Sequence, residues 1–258
     1  MRIVSLVPSL TETICHFGLQ EHLVGCTHYC TEPKSLRKTV PAVGGTKDAN
    51  LSHILQLKPT HIIVNLEENT SALIQELKRR SSEYRFKLIE TFLEDPEDNF
   101  TLIQNLSEHF EFSVQGAEWI ERQRSALYAL RETMSLKPPF TFAYFIWMNP
   151  WMVAGNRTYI SKCLSLIGGQ NVIETGTEPT ERYPIVEPSD AVIQNADWLL
   201  FSSEPFPFKN RHIEKYLTES GLNQPTMKVD GQALSWYGSR FEKTLLELES
   251  LRVILDKN

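Results

Sequence analysis

Two segments far apart in the chain share one order of apolar and polar positions. Leu51–Glu67 reads LSHILQLKPTHIIVNLE, and Pro188–Glu204 reads PSDAVIQNADWLLFSSE. Each gives an amphipathic stretch, a short break, an apolar run and then a glutamate. Only Ser52/Ser189 and Glu67/Glu204 are identical. The rest of the likeness lies in where apolar residues fall: Ile54/Ala191, Leu55/Val192, Ile62/Leu199, Ile63/Leu200 and Val64/Phe201. A short apolar run without alternation suits a strand covered on both faces. The pattern predicts two similar α/β halves, each with a buried strand leading to a carboxylate, and a cleft between the two lobes.

The same reading extends along the chain. Ile3–Val7 is a strand ended by Pro8. Ser9-Leu10-Thr11-Glu12 predicts a capping box, with Ser9 as N-cap of a helix that stops at Gly18. Leu23–Cys26 is a strand, Ser52–Leu57 a helix, His61–Asn65 a strand, Ser71–Arg79 a helix and Phe86–Glu90 a strand. Such alternation calls for a parallel sheet with helices on its faces. Residues 96–135 break it. Phe100, Ile103, Leu106 and Phe110 recur at helical spacing, and Ser113 then opens a longer helix with Val114, Ala117, Ile120, Leu127, Leu130 and Met134 on its apolar face. At 1.5 Å per residue this helix reaches about 33 Å, the width of a small domain. Pro138-Pro139 stops it.

The alternation then resumes. Phe140–Trp147 is a strand, Thr158–Ile167 a helix, Asn171–Ile173 a strand, Ser189–Gln194 a helix, Trp198–Phe201 a strand, Arg211–Glu219 a helix and Lys228–Val229 a strand. Phe241, Leu245, Leu248, Leu251 and Leu255 line a C-terminal helix. The fold class is α/β. Residues 1–112 form an N-terminal lobe, 113–135 a connecting backbone helix and 136–258 a C-terminal lobe.

Composition narrows the function. A net charge of −6 with a pI near 5.7 argues against a nucleic-acid partner, because phosphate contacts need a basic face. No apolar run approaches a membrane span of roughly 18 residues. Met1-Arg2 leads straight into a strand, with no leader pattern. As the sequence stands this places the protein in the cytoplasm, or in the periplasm where a leader has been removed. Cys15, Cys26, Cys30 and Cys163 are too few for a disulfide scaffold. His28 and Cys30, in Cys26-Thr27-His28-Tyr29-Cys30, are weak candidate metal ligands, since no second cluster completes a four-ligand site. No metal is expected.

Catalytic signatures are missing from the sequence: there is no glycine-rich phosphate loop, no G-x-S-x-G elbow and no H-E-x-x-H. The carboxylates are more informative. Glu67 and Glu68 follow one apolar strand and Glu204 follows another, where open α/β sheets bind ligands. A carboxylate there contacts a ligand or a cation, or it caps the next helix, and both readings stand. Aromatics gather after the second-half strands, at Trp147 and Trp151 around an Asn-Pro turn, at Phe206 and Phe208 in a proline-stiffened loop, and at Trp236-Tyr237. Aromatics on stiff loops suit a flat apolar ligand at low ordering cost.

At these residues the chain resembles a known family. Arg2-Ile3-Val4-Ser5-Leu6-Val7-Pro8-Ser9-Leu10-Thr11-Glu12 is similar to the opening of cobalamin-binding members of the substrate-binding proteins of ABC importers, the helical-backbone metal receptors that also include ferric-siderophore and haem receptors. The likeness continues through Val24-Gly25, Tyr29-Cys30, Pro33, Val43-Gly44-Gly45-Thr46, Lys58-Pro59 and Glu67-Glu68-Asn69. It resumes at Ile146-Trp147, Pro150-Trp151, Arg182-Tyr183-Pro184, Ser203-Glu204-Pro205 and Trp236-Tyr237-Gly238-Ser239-Arg240, as in a leaderless branch of the group. The resemblance implies two Rossmann-like lobes with central, mostly parallel sheets joined by one long helix, a ligand between the lobes and slight closure. It also implies aromatics from both lobes against a corrin and one acidic docking residue on each lobe for a permease. This chain departs at two places. Leu66 stands where the first-lobe aromatic belongs, and Ser71 near the first-lobe docking acid.

The function expected from all this is non-enzymatic. A corrinoid, or a related chelate such as haem or a ferric siderophore, is held as ligand with no covalent cofactor, by a monomer that serves an ABC permease and inserts in no membrane. Trp147, Trp151, Phe206, Phe208 and Trp236 would stack on the ligand. Ser9, Tyr29, Glu67, Glu68, Glu204, Tyr237 and Arg240 would make polar contacts. The alternatives are a cytoplasmic enzyme or chaperone acting on a tetrapyrrole, with Cys30 or His28 as axial ligand, and an interaction module that has lost its ligand.

Overall fold

The computed structural model describes residues 1–176 and 181–257. The chain divides into two compact units. The first holds Met1–Leu93, Asn99–Trp119 and Tyr237–Arg240; the second holds Glu94–Asp98, Ile120–Trp236 and Phe241–Asn258. The divisions differ from the expected lobes at two short segments, 94–98 and 237–240, each of which belongs to the unit opposite its neighbours in sequence.

In the first unit, β1 (Ile3–Ser5), β2 (Leu23–Cys26), β3 (His61–Asn65) and β4 (Lys87–Thr91) form an all-parallel sheet in the order β2-β1-β3-β4. Parallel pairing turns every carboxyl end to one edge of the sheet. Its core packs Val4, Leu6, Ile62 and Val64 against Val43, Ile54, Ile74, Leu77 and Phe86. Helix α1 (Pro8–His16) follows β1, α2 (Leu51–Gln56) precedes β3 and α3 (Ser71–Tyr84) follows it. Asn50 caps α2, its side chain accepting from the His53 amide at 3.0 Å. Asn50→Ala should therefore lower the stability of this unit by about 1 kcal/mol in chemical denaturation, and no loss would mean the cap contributes nothing.

The capping box at the first helix is not formed. α1 starts two residues earlier than expected, at Pro8, with Val7 at the N-cap and no side-chain cap. Proline's fixed φ suits the first helical position and its missing N–H costs nothing there, which moves Ser9 inside the helix. α4 (Asp98–Phe110) and α5 (Ser113–Met134) follow β4. They approach closely where a Cβ on Gly116 would come within 2.9 Å of Ser107 Cβ. α5 begins in the first unit and ends in the second.

The second unit is built on β5 (Phe140–Trp147), β6 (Met152–Ala154), β7 (Gly169–Asn171), β8 (Trp198–Ser202) and β9 (Thr226–Val229). β5 pairs in parallel with β7 and β8, and β8 with β9, while β6 returns antiparallel against β5. Helices α6 (Tyr159–Ser165), α7 (Asn210–Ser220), α8 (Gly231–Ser235) and α9 (Phe241–Leu255) complete it. Its core is aromatic: Phe145 and Phe201 stack with ring centroids 4.6 Å apart, beside Tyr216.

One half of the repeat that opens the sequence reading differs from expectation. Leu51–Gln56 is an α-helix, but 189–194 is not. Only a single 3-10 turn, Ile193–Asn195, forms there. Pro188 offers no N–H, and the Asp190 side chain accepts from the Glu187 amide at 2.8 Å, a local bond that competes with helix formation.

Candidate functional site

In the first unit the carboxyl edge of the sheet is built on two asparagines. Asn65, the last residue of β3, accepts from the Glu67 amide at 2.8 Å and the Glu68 amide at 3.1 Å. Asn69 accepts from the Asn65 amide at 2.8 Å and donates to the carbonyls of Leu6 and Thr46 at 3.2 and 2.9 Å. These bonds hold Glu67 and Glu68 in the tight turn after the strand, both half-buried. Thr70 is the N-cap of α3, its side chain accepting from the Leu73 amide.

Glu68 Oε1 accepts the Tyr237 hydroxyl at 2.8 Å, and the Ser9 hydroxyl lies beside that phenol. Burial pushes the Glu68 carboxyl up to about 7, against the Tyr237 bond that favours its ionised form. Burial likewise raises the buried Tyr237 phenol well above its ordinary range. Lys47 donates to the Glu67 carbonyl at 2.5 Å, and burial lowers its ammonium. Lys47 escaped the sequence reading. The Gly44-Gly45 turn ahead of it marks a loop, but nothing local pairs that loop with residues twenty positions on.

Residues 237–240 are fastened to this edge by four contacts from three places: the turn after β3, α4 and, twice, α1. Besides Tyr237–Glu68, the Gly238 amide donates to Asn99 Oδ1 at 2.6 Å and the Ser239 amide to Thr13 Oγ1 at 3.0 Å, while Arg240 Nε donates to Glu12 Oε2 at 2.7 Å. Arg240 was expected at a ligand. It is instead buried, in an ion pair with Glu12. Ser9 is also buried, on the first turn of α1. Tyr29, by contrast, is 55% exposed and Leu66 47%. The first unit therefore offers an exposed aromatic ring on the loop after β2 and an exposed apolar side chain next to the two glutamates after β3.

The candidate metal ligands divide. His28 is exposed, its ring tilted against Tyr29 at 4.2 Å. Cys30 is sealed in the interior, its sulfur hydrogen-bonded to the hydroxyls of Thr11 at 3.2 Å and Thr27 at 3.3 Å, so it does not reach a ligand metal as an axial donor. The Cys26 thiol beside it, more than burial, sets its acidity, drawing it down to about 7. Among the described residues no group of three or more His, Cys, Asp and Glu side chains could hold a metal ion.

The second unit gathers the remaining candidates, but not as one aromatic wall. Trp147, at the end of β5, is 39% exposed and meets half-buried Phe206 edge-on at 5.7 Å. Trp151 and Phe208 turn inward. Both are buried in the core with parallel rings 6.2 Å apart, and the Trp151 indole donates to Glu219 at 3.1 Å. They were expected to stack on a ligand. The Asn149-Pro150 turn and the short return strand β6 fold Trp151 back onto Phe145 and Tyr216 instead. Trp236 is buried as well, its indole N–H donating to Glu204 Oε1 at 2.6 Å. Glu204 borders a cavity of about 570 Å³ lined also by Ser203, Phe208, Lys228, Asp230 and Gln232, beyond the ends of β8 and β9.

An inner layer also escaped the sequence reading. Glu94 takes the guanidiniums of both Arg182, which is 1% exposed, and Arg157. This fastens residues 94–98 into the second unit.

Two units on mostly parallel sheets, each with apolar side chains and carboxylates at its strand ends, are an arrangement suited to holding a ligand. The sequence profile of the periplasmic binding protein family matches residues 3–226, and the chain belongs to that family, whose members bind ligands and are not enzymes. It is similar to a vitamin B12-binding protein of Photorhabdus laumondii, 25% identical over 209 residues that cover 78% of this chain and 70% of the relative. A vitamin B12-binding protein of Yersinia pestis is 27% identical over 182 residues, covering 69% of this chain but only 62% of that relative's length. Among solved structures, a periplasmic vitamin B12-binding protein of Vibrio cholerae matches 99% of this chain and 96% of its own with a TM-score of 0.81 at 21% identity. A periplasmic haem-binding protein from Roseiflexus matches 98% and 96% with a TM-score of 0.79 at 20% identity. At such identities these two likenesses speak for the fold. No helix among the described residues is long and apolar enough to cross a membrane.

Proposed function

We propose that this protein binds a corrinoid, or a related planar metal chelate such as haem, and hands it to an ABC-type permease. The observation that carries the reading is the pair of exposed aromatic positions at carboxyl strand ends: Trp147 with Phe206 on one unit and Tyr29 on the other. A domain that leaves a tryptophan at the end of β5 and a tyrosine on the loop after β2 open to water keeps flat apolar surface ready for a ligand. The relatives named as vitamin B12-binding support a corrinoid over other chelates. Leu66, also exposed beside Glu67, supplies apolar area where a ring would otherwise serve.

Equilibrium titration with cyanocobalamin, dicyanocobinamide and haemin tests the proposal. Wild-type protein should bind at least one of them. Trp147→Ala should weaken that binding about tenfold, equivalent to about 1.4 kcal/mol, while shifting Tm by less than about 2 °C, because an exposed ring contributes little to folding. Failure of all three chelates to bind would refute the reading.

A further inference from the structure

We infer that Phe92, abreast of Leu66, is a ring that the first unit lays against a bound chelate, so that the ligand lies over the ends of β3 and β4. The inference rests on the binding reading above and adds to it a residue that no sequence motif marks.

Phe92 follows β4 directly, as Leu66 follows β3. The two strands run parallel with Asn65 opposite Thr91, and the Leu66 amide donates to the Thr91 carbonyl at 3.0 Å. The ladder thus continues one step beyond the last paired residues. Leu66 and Phe92 are the next residues on neighbouring strands, about 4.8 Å apart across the sheet. Both are open to water, Leu66 at 47% and Phe92 at 43%. Thr91 before Phe92 and Leu93 after it are buried. In extended chain successive side chains alternate sides, so this order turns the ring away from the core.

The backbone beneath the two side chains is fixed. Asn65 Nδ2 donates to Thr91 Oγ1 at 3.3 Å, and Thr91 Oγ1 donates to the Val64 carbonyl at 2.9 Å, tying the two strand ends together. A ring carried on so short a stretch, next to a locked residue, loses little freedom when a ligand covers it. One exposed phenylalanine is ordinary on a protein surface. Here it adjoins a second exposed apolar side chain, and the two form a continuous step at the carboxyl edge, where α/β sheets bind ligands. Leu66 has apolar bulk but no π face, and Phe92 supplies one a single strand away.

The width of the edge also fits. In the order β2-β1-β3-β4, the two outer strands lie three spacings apart, about 14 Å. That is comparable with the breadth of a substituted tetrapyrrole. Tyr29, on the loop after β2, and Phe92, after β4, then mark the two sides of the first unit's ligand face, with Leu66 between them.

Titration of Phe92→Ala with cyanocobalamin, dicyanocobinamide and haemin tests the assignment. For whichever of the three the wild type binds, the dissociation constant should rise about fivefold, with Tm within about 2 °C of wild type. Tyr84→Ala is the control. Tyr84 is 42% exposed, like Phe92, but it ends α3 just before β4 begins, at the opposite edge of the sheet, and its loss should leave affinity unchanged. If Phe92→Ala lowers Tm further, Phe92→Leu decides, since it keeps the apolar bulk and removes only the ring: a loss of twofold or more supports the assignment. A rise of less than twofold in the deciding variant, or an equal loss in Tyr84→Ala, overturns the inference while the binding reading stands. If the wild type binds none of the three chelates, the binding reading fails and this inference with it.

Discussion

Glu12→Ala should lower the stability of the first unit by roughly 3 kcal/mol and its Tm by about 6–12 °C. Arg240 keeps only 7% of its side-chain surface in water and Glu12 15%, so removing the carboxylate leaves a guanidinium charge in the interior. The cost arises less from the lost attraction than from the desolvated cation left behind. Replacing the pair together, as Glu12→Leu with Arg240→Met, should recover most of the loss, because neither variant then buries an unpaired charge. Differential scanning calorimetry of the three proteins separates the outcomes. A Tm within 2 °C of wild type for Glu12→Ala would show that Arg240 is free to face a ligand, as the sequence suggested.

Gly238→Ala should cost about 2–3 kcal/mol and disturb the Tyr237 contact as well. Gly238 sits at φ +79°, a conformation L side chains rarely adopt, and a Cβ there would lie 2.2 Å from Thr13 Oγ1. That hydroxyl accepts from the neighbouring Ser239 amide, so it has no free direction in which to withdraw. Thr13→Ala removes the clash but leaves the amide without its acceptor. The two substitutions should therefore be non-additive, the second costing about 1 kcal/mol less in the presence of the first. Urea denaturation of the full cycle measures this, and strict additivity would place residue 238 away from α1.

Both predictions concern residues 237–240, and this short segment shows where sequence reasoning ends. Trp236-Tyr237-Gly238-Ser239-Arg240 stands out in the sequence as a candidate site, since it concentrates aromatic, flexible and charged residues before a helix. That Tyr237 and Arg240 belong to the first unit, while Trp236 and Phe241 belong to the second, was not. The partners Glu12, Thr13, Glu68 and Asn99 lie more than 130 residues away, and no periodicity links them. The aromatics divide in the same way. Composition and turn chemistry marked Trp147, Trp151, Phe206 and Phe208 together. Which of them face water depends on the antiparallel return of β6 and on the void that Phe145, Phe201 and Tyr216 leave to be filled, and these are properties of the assembled sheet.

The sequence by itself determined most of the elements and their alternation, but not the return strand β6, the helix α8 or the absence of a helix at 189–194. The strands at His61–Asn65 and Trp198–Ser202 and the helix at Ser113–Met134 follow from runs and periods only a few residues long, where local sterics and burial dictate the answer. It also placed carboxylates after two of those strands. The tertiary structure alone decided which carboxylate does what. Glu204 meets the Trp236 indole and Glu12 the Arg240 guanidinium, whereas Glu68 accepts from the Tyr237 hydroxyl within a half-buried edge. A carboxyl group's protonation is set by the charges, donors and water within a few ångströms of it, and those neighbours come from distant parts of the chain.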